Sequence, residues 1–274
     1  QPSSIVVNSS TNNYTITGST GNFISGTTGL LKSGTSTLTM NGPNTFTGGT
    51  VISQGTIQIR SAGALGTGTV TLNDTNTGAN NTALYIDSAR VNYVVPVIVS
   101  NNGTGTSTLG TRASVTGSGA SNGFNGITLA RDLILDSNAA DRTDYQNISG
   151  TGNITITGAG RTVFTTTNTF TGNLTISPSG TGGNFQNGVA TGSSTNYIPD
   201  ASNVTVTDFP GAGQAEFRLS SQAETINALN GNGTIDGINE LFGGTAKGAG
   251  FAQLAAFDSN GDDLVNTSDT GFAD

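Results

Sequence analysis

The chain has 274 residues, 41 of them Gly and, by count, 46 Thr; 9% are charged, the net charge is −8, and there is no Cys or His. Without Cys there is no disulfide or thiol chemistry, and without His the commonest general base and metal ligand is missing. An acidic chain with no basic stripe is not expected to bind nucleic acid, and the longest apolar run, Val91 to Val99, is too short to cross a membrane.

Short strand-like runs follow one another along the chain. The first are Ile5–Val7, Tyr14–Thr17, Thr37–Met40, Thr50–Ile52 and Thr56–Ile59. Next come Thr69–Leu72, Ala83–Ile86, Val94–Val99 and Leu133–Leu135, and after a repeated block Asn203–Val206 and Glu216–Leu219. Most alternate apolar residues with Thr, the period of a strand with one face buried. Gly, Asn and Ser clusters between them supply the conformations that tight corners need. Two all-β architectures fit this series: a β-sandwich and a parallel β-solenoid.

Internal repetition favours the solenoid. Ile24 to Ser53 and Ile148 to Ser177 align without a gap at twelve of thirty positions, including Asn44-Thr45-Phe46-Thr47-Gly48 against Asn168-Thr169-Phe170-Thr171-Gly172. Units that recur this way bury their apolar faces on their neighbours. At ~20 residues per coil and ~4.8 Å per rung, residues 1–235 would build a rod roughly 55 Å long.

The stretch Thr37 to Leu72 resembles the passenger-associated repeat of bacterial autotransporter-type surface proteins. The residues on that pattern include Asn44, Phe46, Gly48, Gly49, Gly55, Ala64, Leu65, Gly66, Val70 and Leu72. The likeness is partial at Asn168 to Ser177 and faint at Glu224 to Asp236. It implies a right-handed parallel β-helix, extracellular or at the cell surface, serving as a stalk without enzymatic activity. A start at Gln1 suggests a mature product, and further chain is expected beyond Asp274.

From Asp236 the composition turns acidic, which sets residues 236–274 apart from the repeat domain at 1–235. Seven of the seventeen acidic residues fall there, with Lys247 the only base. Gly250 to Phe257 reads as a short amphipathic helix. The loop that follows places Asp258, Asn260, Asp262, the Leu264 carbonyl, Asn266 and Asp269 at positions 1, 3, 5, 7, 9 and 12 of a calcium loop. This run resembles the calcium loops of dockerins, although position 6 is Asp263 where such loops carry Gly. Calcium is therefore the expected cofactor.

A second acidic group, Asp132, Asp136, Asp141 and Asp144 with Arg131 and Arg142, raises the alternative of a carbohydrate-active β-helix enzyme. The plainer expectation is that these are exposed turn residues in a Ser/Asn/Ala loop. Asn-x-Thr triplets at Asn13, Asn153, Asn173 and Asn203 leave glycosylation open. The leading expectation is a secreted structural rod, a stalk or filament subunit, whose partner is a second copy joined end to end. The alternative is a monomeric surface adhesin that binds glycans.

Overall fold

The computed structural model describes residues 2–89, 91–112, 121–138, 142–178, 184–187, 197–207, 216–219, 224–231 and 234–236. Among them every regular element is a strand, and the strands stack into two long sheets. The first sheet runs Ser4–Asn8, Gly29–Ser33, Thr50–Ile52, Val70–Leu72, Val97–Val99, Ser121–Leu129, Arg142–Gly150, Arg161–Phe164, Asn184–Asn187, Glu216–Leu219 and Thr234–Asp236. The second runs Tyr14–Thr17, Thr37–Asn41, Gly55–Ile59, Thr82–Ile86, Ser107–Thr111, Leu133–Ser137, Ile154–Thr157, Leu174–Ile176, Asn203–Val206 and Ala228–Gly231.

The chain visits the two sheets alternately, and strands of successive coils pair in parallel. A sandwich would pair sequence neighbours antiparallel; here the only antiparallel contact among the described residues is an isolated bridge, Ser19 to Asn22. The protein is a parallel β-solenoid. Eleven stacked strands at about 4.8 Å each make a rod of about 50 Å.

Strand alternation builds the core. In Leu174–Ile176, Leu174 and Ile176 point inward and are sealed, while Thr175 faces out. Stacked inward positions form apolar columns; one runs Leu38, Ile57, Leu84, Leu109, Leu135, Ile156, Ile176 and Val206. Aromatic rings from strands of the first sheet pack within the core, with Phe124 stacked on Tyr145 at 5.7 Å and Phe164 edge-on to Phe185 at 4.8 Å.

Two expectations change. The run Val94–Val99 is not one strand: Asn92–Tyr93 and Val97–Val99 are separate, and Val94 is exposed. Pro96 has no N–H to give to a ladder, so pairing breaks there. Two nine-residue strands, Ser121–Leu129 and Arg142–Gly150, lie on either side of the segment that carries Asp132 and Asp136. Gly126 and Asn147, both at positive φ, interrupt their alternation and hid them from a period-two reading. The amphipathic stretch Gly250 to Phe257 lies outside the described residues.

Candidate assembly site

The residues shared by the two sequence copies join one coil to the next. Asn44 sits at a corner, accepts the Ile24 N–H at 2.9 Å through Oδ1 and donates through Nδ2 to the Ala64 carbonyl at 2.8 Å. Its side chain therefore bridges the coil before and the coil after. Asn168 does the same, accepting from Ile148 N–H at 2.8 Å and donating to the Tyr197 carbonyl at 2.7 Å. Phe46 and Phe170 are buried beside these clamps. The Thr47 and Thr171 amides each donate at 2.8 Å to the coil before, to the carbonyls of Gly26 and Gly150. A side chain on Gly48 would collide with the Thr27 and Thr28 carbonyls, and one on Gly172 with the Gly152 carbonyl.

Two further residues take the accepting half of this role, and the sequence reading missed both. Asn122 accepts the Val91 N–H at 2.9 Å. Glu224, buried, accepts the Tyr197 and Ile198 amides at 3.1 and 3.3 Å. Glu224 begins the faint third likeness, so its signal lay in the repeat alignment, where a carboxylate replaces the amide. Tyr197 has its phenol pKa raised by burial and then by the Glu224 charge.

A further ladder runs outside one corner. The Asn153 amide donates to Asp132 at 2.9 Å, that of Asn173 to Asn153 at 2.9 Å, and that of Asn203 to Asn173 at 3.1 Å. The Asn-x-Thr triplets at Asn153, Asn173 and Asn203 thus stack on consecutive rungs, their side-chain oxygens engaged. Asn13 likewise accepts the Thr37 N–H at 2.9 Å.

Asp136 and Asp144 of the second acidic group lie in strands of the ladder, whereas Asp132 is exposed just before a strand. Asp136 is a strand residue whose carboxylate accepts Tyr85 Oη at 2.8 Å and Asn138 Nδ2 at 2.7 Å. The Tyr85 ring crosses Gly110 to reach it, and a side chain on Gly110 would collide with that ring. The Arg112 guanidinium stacks over the ring at 3.6 Å from its centroid. Burial, followed by the Asp136 charge, raises the Tyr85 pKa. Asp144 is buried and ion-paired with Arg142 at 3.0 Å. Asp132 caps the asparagine ladder; Asp141 lies outside the described residues.

Lys32, also missed, is fully buried in an inward column between Val7 and Ile52. Its Nζ donates to the carbonyls of Ser33, Gly34 and Gln54 at 2.9, 2.6 and 3.3 Å. Burial lowers its pKa to about 8, while the three carbonyls favour the charged form.

The first rung is open. Tyr14 and Ile16 stand in register with Leu38 and Met40, which are fully sealed, yet Tyr14 is 49% exposed and Ile16 only partly buried. Val6 and Phe23 are exposed nearby, and a cleft of ≈ 350 Å³ lined by Val6, Val7, Asn8, Tyr14, Thr15 and Ile16 opens there. The expected calcium ligands Asp258, Asn260, Asp262, Leu264, Asn266 and Asp269 lie outside the described residues. Among the described residues no group of acidic side chains is placed to hold a metal ion.

The Passenger-associated-transport-repeat family model matches residues 30–59 and 154–181, each span containing or adjoining one asparagine clamp. Two segments of the chain are thus similar to that repeat. They support a passenger-repeat protein that is secreted or held at the cell surface. The SPM domain model matches residues 212–274, beginning within the last rungs of the ladder. The Iron-regulated protein FrpA of Neisseria meningitidis serogroup C is 46% identical over 54 residues, 17% of this chain. The chain covers 5% of that relative's length. No solved structure matches it.

Proposed function

We propose that this chain is a secreted structural protein, an extracellular stalk or filament subunit with no catalysis of its own. The observation that carries this reading is where the motif residues are spent. Asn44 and Asn168 are consumed in joining coil to coil, and Phe46 and Phe170 are buried beside them. Asp136 and Asp144, two of the four carboxylates in the second acidic group, are engaged by Tyr85, Asn138 and Arg142. A rod of stacked rungs sets distance and stiffness, which is what a stalk requires.

In this reading the acidic segment 236–274 is a separate unit that binds calcium through Asp258, Asn260, Asp262, the Leu264 carbonyl, Asn266 and Asp269, and orders the joint between subunits. The partner is a second copy of the chain. Negative-stain electron microscopy with calcium and then with EGTA tests it. Rods or fibres of one width are expected, with fibres shortening in EGTA; compact particles in both conditions would overturn the structural reading.

One observation favours a second reading, a surface adhesin that binds glycans. Asn153, Thr155 and Thr157, then Asn173, Thr175 and Ser177, then Asn203, Thr205 and Thr207 form a polar grid on the outside of the second sheet. Such a grid can hydrogen-bond sugar hydroxyls. Binding to a glycan array that Thr175→Val abolishes, with the rods unchanged, would favour it.

A further inference from the structure

The two ends of the ladder are related by translation. At one end Ser4–Asn8 and Tyr14–Thr17 pair only inward, with Gly29–Ser33 and Thr37–Asn41. At the other, Ala228–Gly231 and Thr234–Asp236 pair only with Asn203–Val206 and Glu216–Leu219 among the described residues. Each end therefore offers one strand of each sheet. Because all the strands are parallel, sliding a second copy along the axis continues both ladders without reversing any strand.

Side chains favour that occupant too. The open rung shows core residues rather than a polar cap, Tyr14 above all. Following the register from Tyr14 through Leu38 up the column, the last position is Gly231. The ring that projects from one end thus falls opposite a position with no side chain at the other. Beside it, the outward column above Asn13 starts at Thr37 and ends at Asn230, so these two asparagines would face one another across the joint.

We infer that the open first rung is the docking edge for the last rung of a second copy, with Tyr14 seated over Gly231 of that copy. This rests on the structural reading above and gives it a residue-level joint. Strand addition supplies backbone hydrogen bonds, and covering the exposed Tyr14 and the partly buried Ile5, Val7 and Ile16 supplies the apolar area. A contact between unlike ends repeats without closing, so the product is an open linear fibre.

The chain has no cysteine, which makes a cross-linking test clean. In an Asn13→Cys, Asn230→Cys double variant, the two thiols of one copy are separated by about 40 Å of ladder and cannot meet. Mild oxidation is expected to give a series of covalent oligomers that lengthens with protein concentration. Each single variant should stay uncross-linked, because its lone thiol faces an asparagine across the joint. Tyr14→Asp, with its strand circular dichroism intact, should lose the series. A double variant that stays monomeric while folded overturns the joint. So does a monomer in which the Ser4–Asn8 amides exchange slowly, because another part of the chain would then cover the edge. If such monomers are still rods by electron microscopy, the structural reading stands without the joint; if they are compact, both fall.

Discussion

The two sequence copies, Ile24 to Ser53 and Ile148 to Ser177, do the same work from opposite sides of the rod. Gly29–Ser33, Thr37–Asn41 and Thr50–Ile52 lie in the first, second and first sheets. Their counterparts Ile154–Thr157, Arg161–Phe164 and Leu174–Ile176 lie in the second, first and second. An odd number of half-coils separates the copies, so the motif does not belong to a face. It encodes a corner: an asparagine that clamps the coils on either side, and a phenylalanine that fills the bend. The coil that follows differs as well. Asn44 finds its carbonyl 20 residues on at Ala64, Asn168 only 29 residues on at Tyr197. The clamp tolerates an insertion because it reads the position of a backbone carbonyl, whatever the length of loop that delivers it there.

If the corners are equivalent, equal substitutions should cost alike. Phe46→Ala and Phe170→Ala should each destabilise by about 3–5 kcal/mol, read from urea unfolding, as expected for a buried aromatic side chain. A much smaller loss at Phe170 would break the equivalence. Next in size, Asn44→Ala and Asn168→Ala leave a buried N–H and a carbonyl unpaired, at about 1–3 kcal/mol for each orphaned group. The double variant should be additive within about 0.5 kcal/mol, since the sites share no partner.

The smallest effect concerns a position where the copies differ. Lys32 fills an inward site that Ile156 fills in the second copy. Its amine titrates near 8 in the folded protein against an ordinary 10.5, so folding disfavours its charged form. Between these values the unfolded chain holds more protons than the folded one, and stability should rise with pH from about 8 to about 10.5. Lys32→Ile should abolish that rise and match or exceed the native stability at pH 7, because a buried charge is often no better than a well-packed apolar residue. Thermal melts across this range would check it; a stability that falls over the window in the native chain would contradict the burial argument.

Much of the fold could be read from the chain. Tyr14–Thr17 and Asn203–Val206 have the bounds their alternation predicts. Two of the three glycine pairs shared by the copies, Gly26 with Gly150 and Gly34 with Gly158, adopt positive φ, which explains why both copies keep them, while Gly48 and Gly172 are required by close backbone approach. What escaped the sequence were groups whose partners lie a coil away. Lys32 looks like a surface residue until its column is known, and Asp136 looks like a turn residue until Tyr85 arrives across Gly110.

The sequence by itself determined that the chain is all-β, that it repeats, and which asparagines and phenylalanines recur, because period, turn residues and self-similarity are local properties. Only the tertiary structure decided which strand lies over which. Register between coils sets the sheet each copy occupies, the columns that bury Lys32, the ladder that engages Asn153, Asn173 and Asn203, and the exposure of Tyr14 at the open end. Coils of unequal length hide that register, since a residue's neighbour lies 20 positions away at one corner and 29 at another.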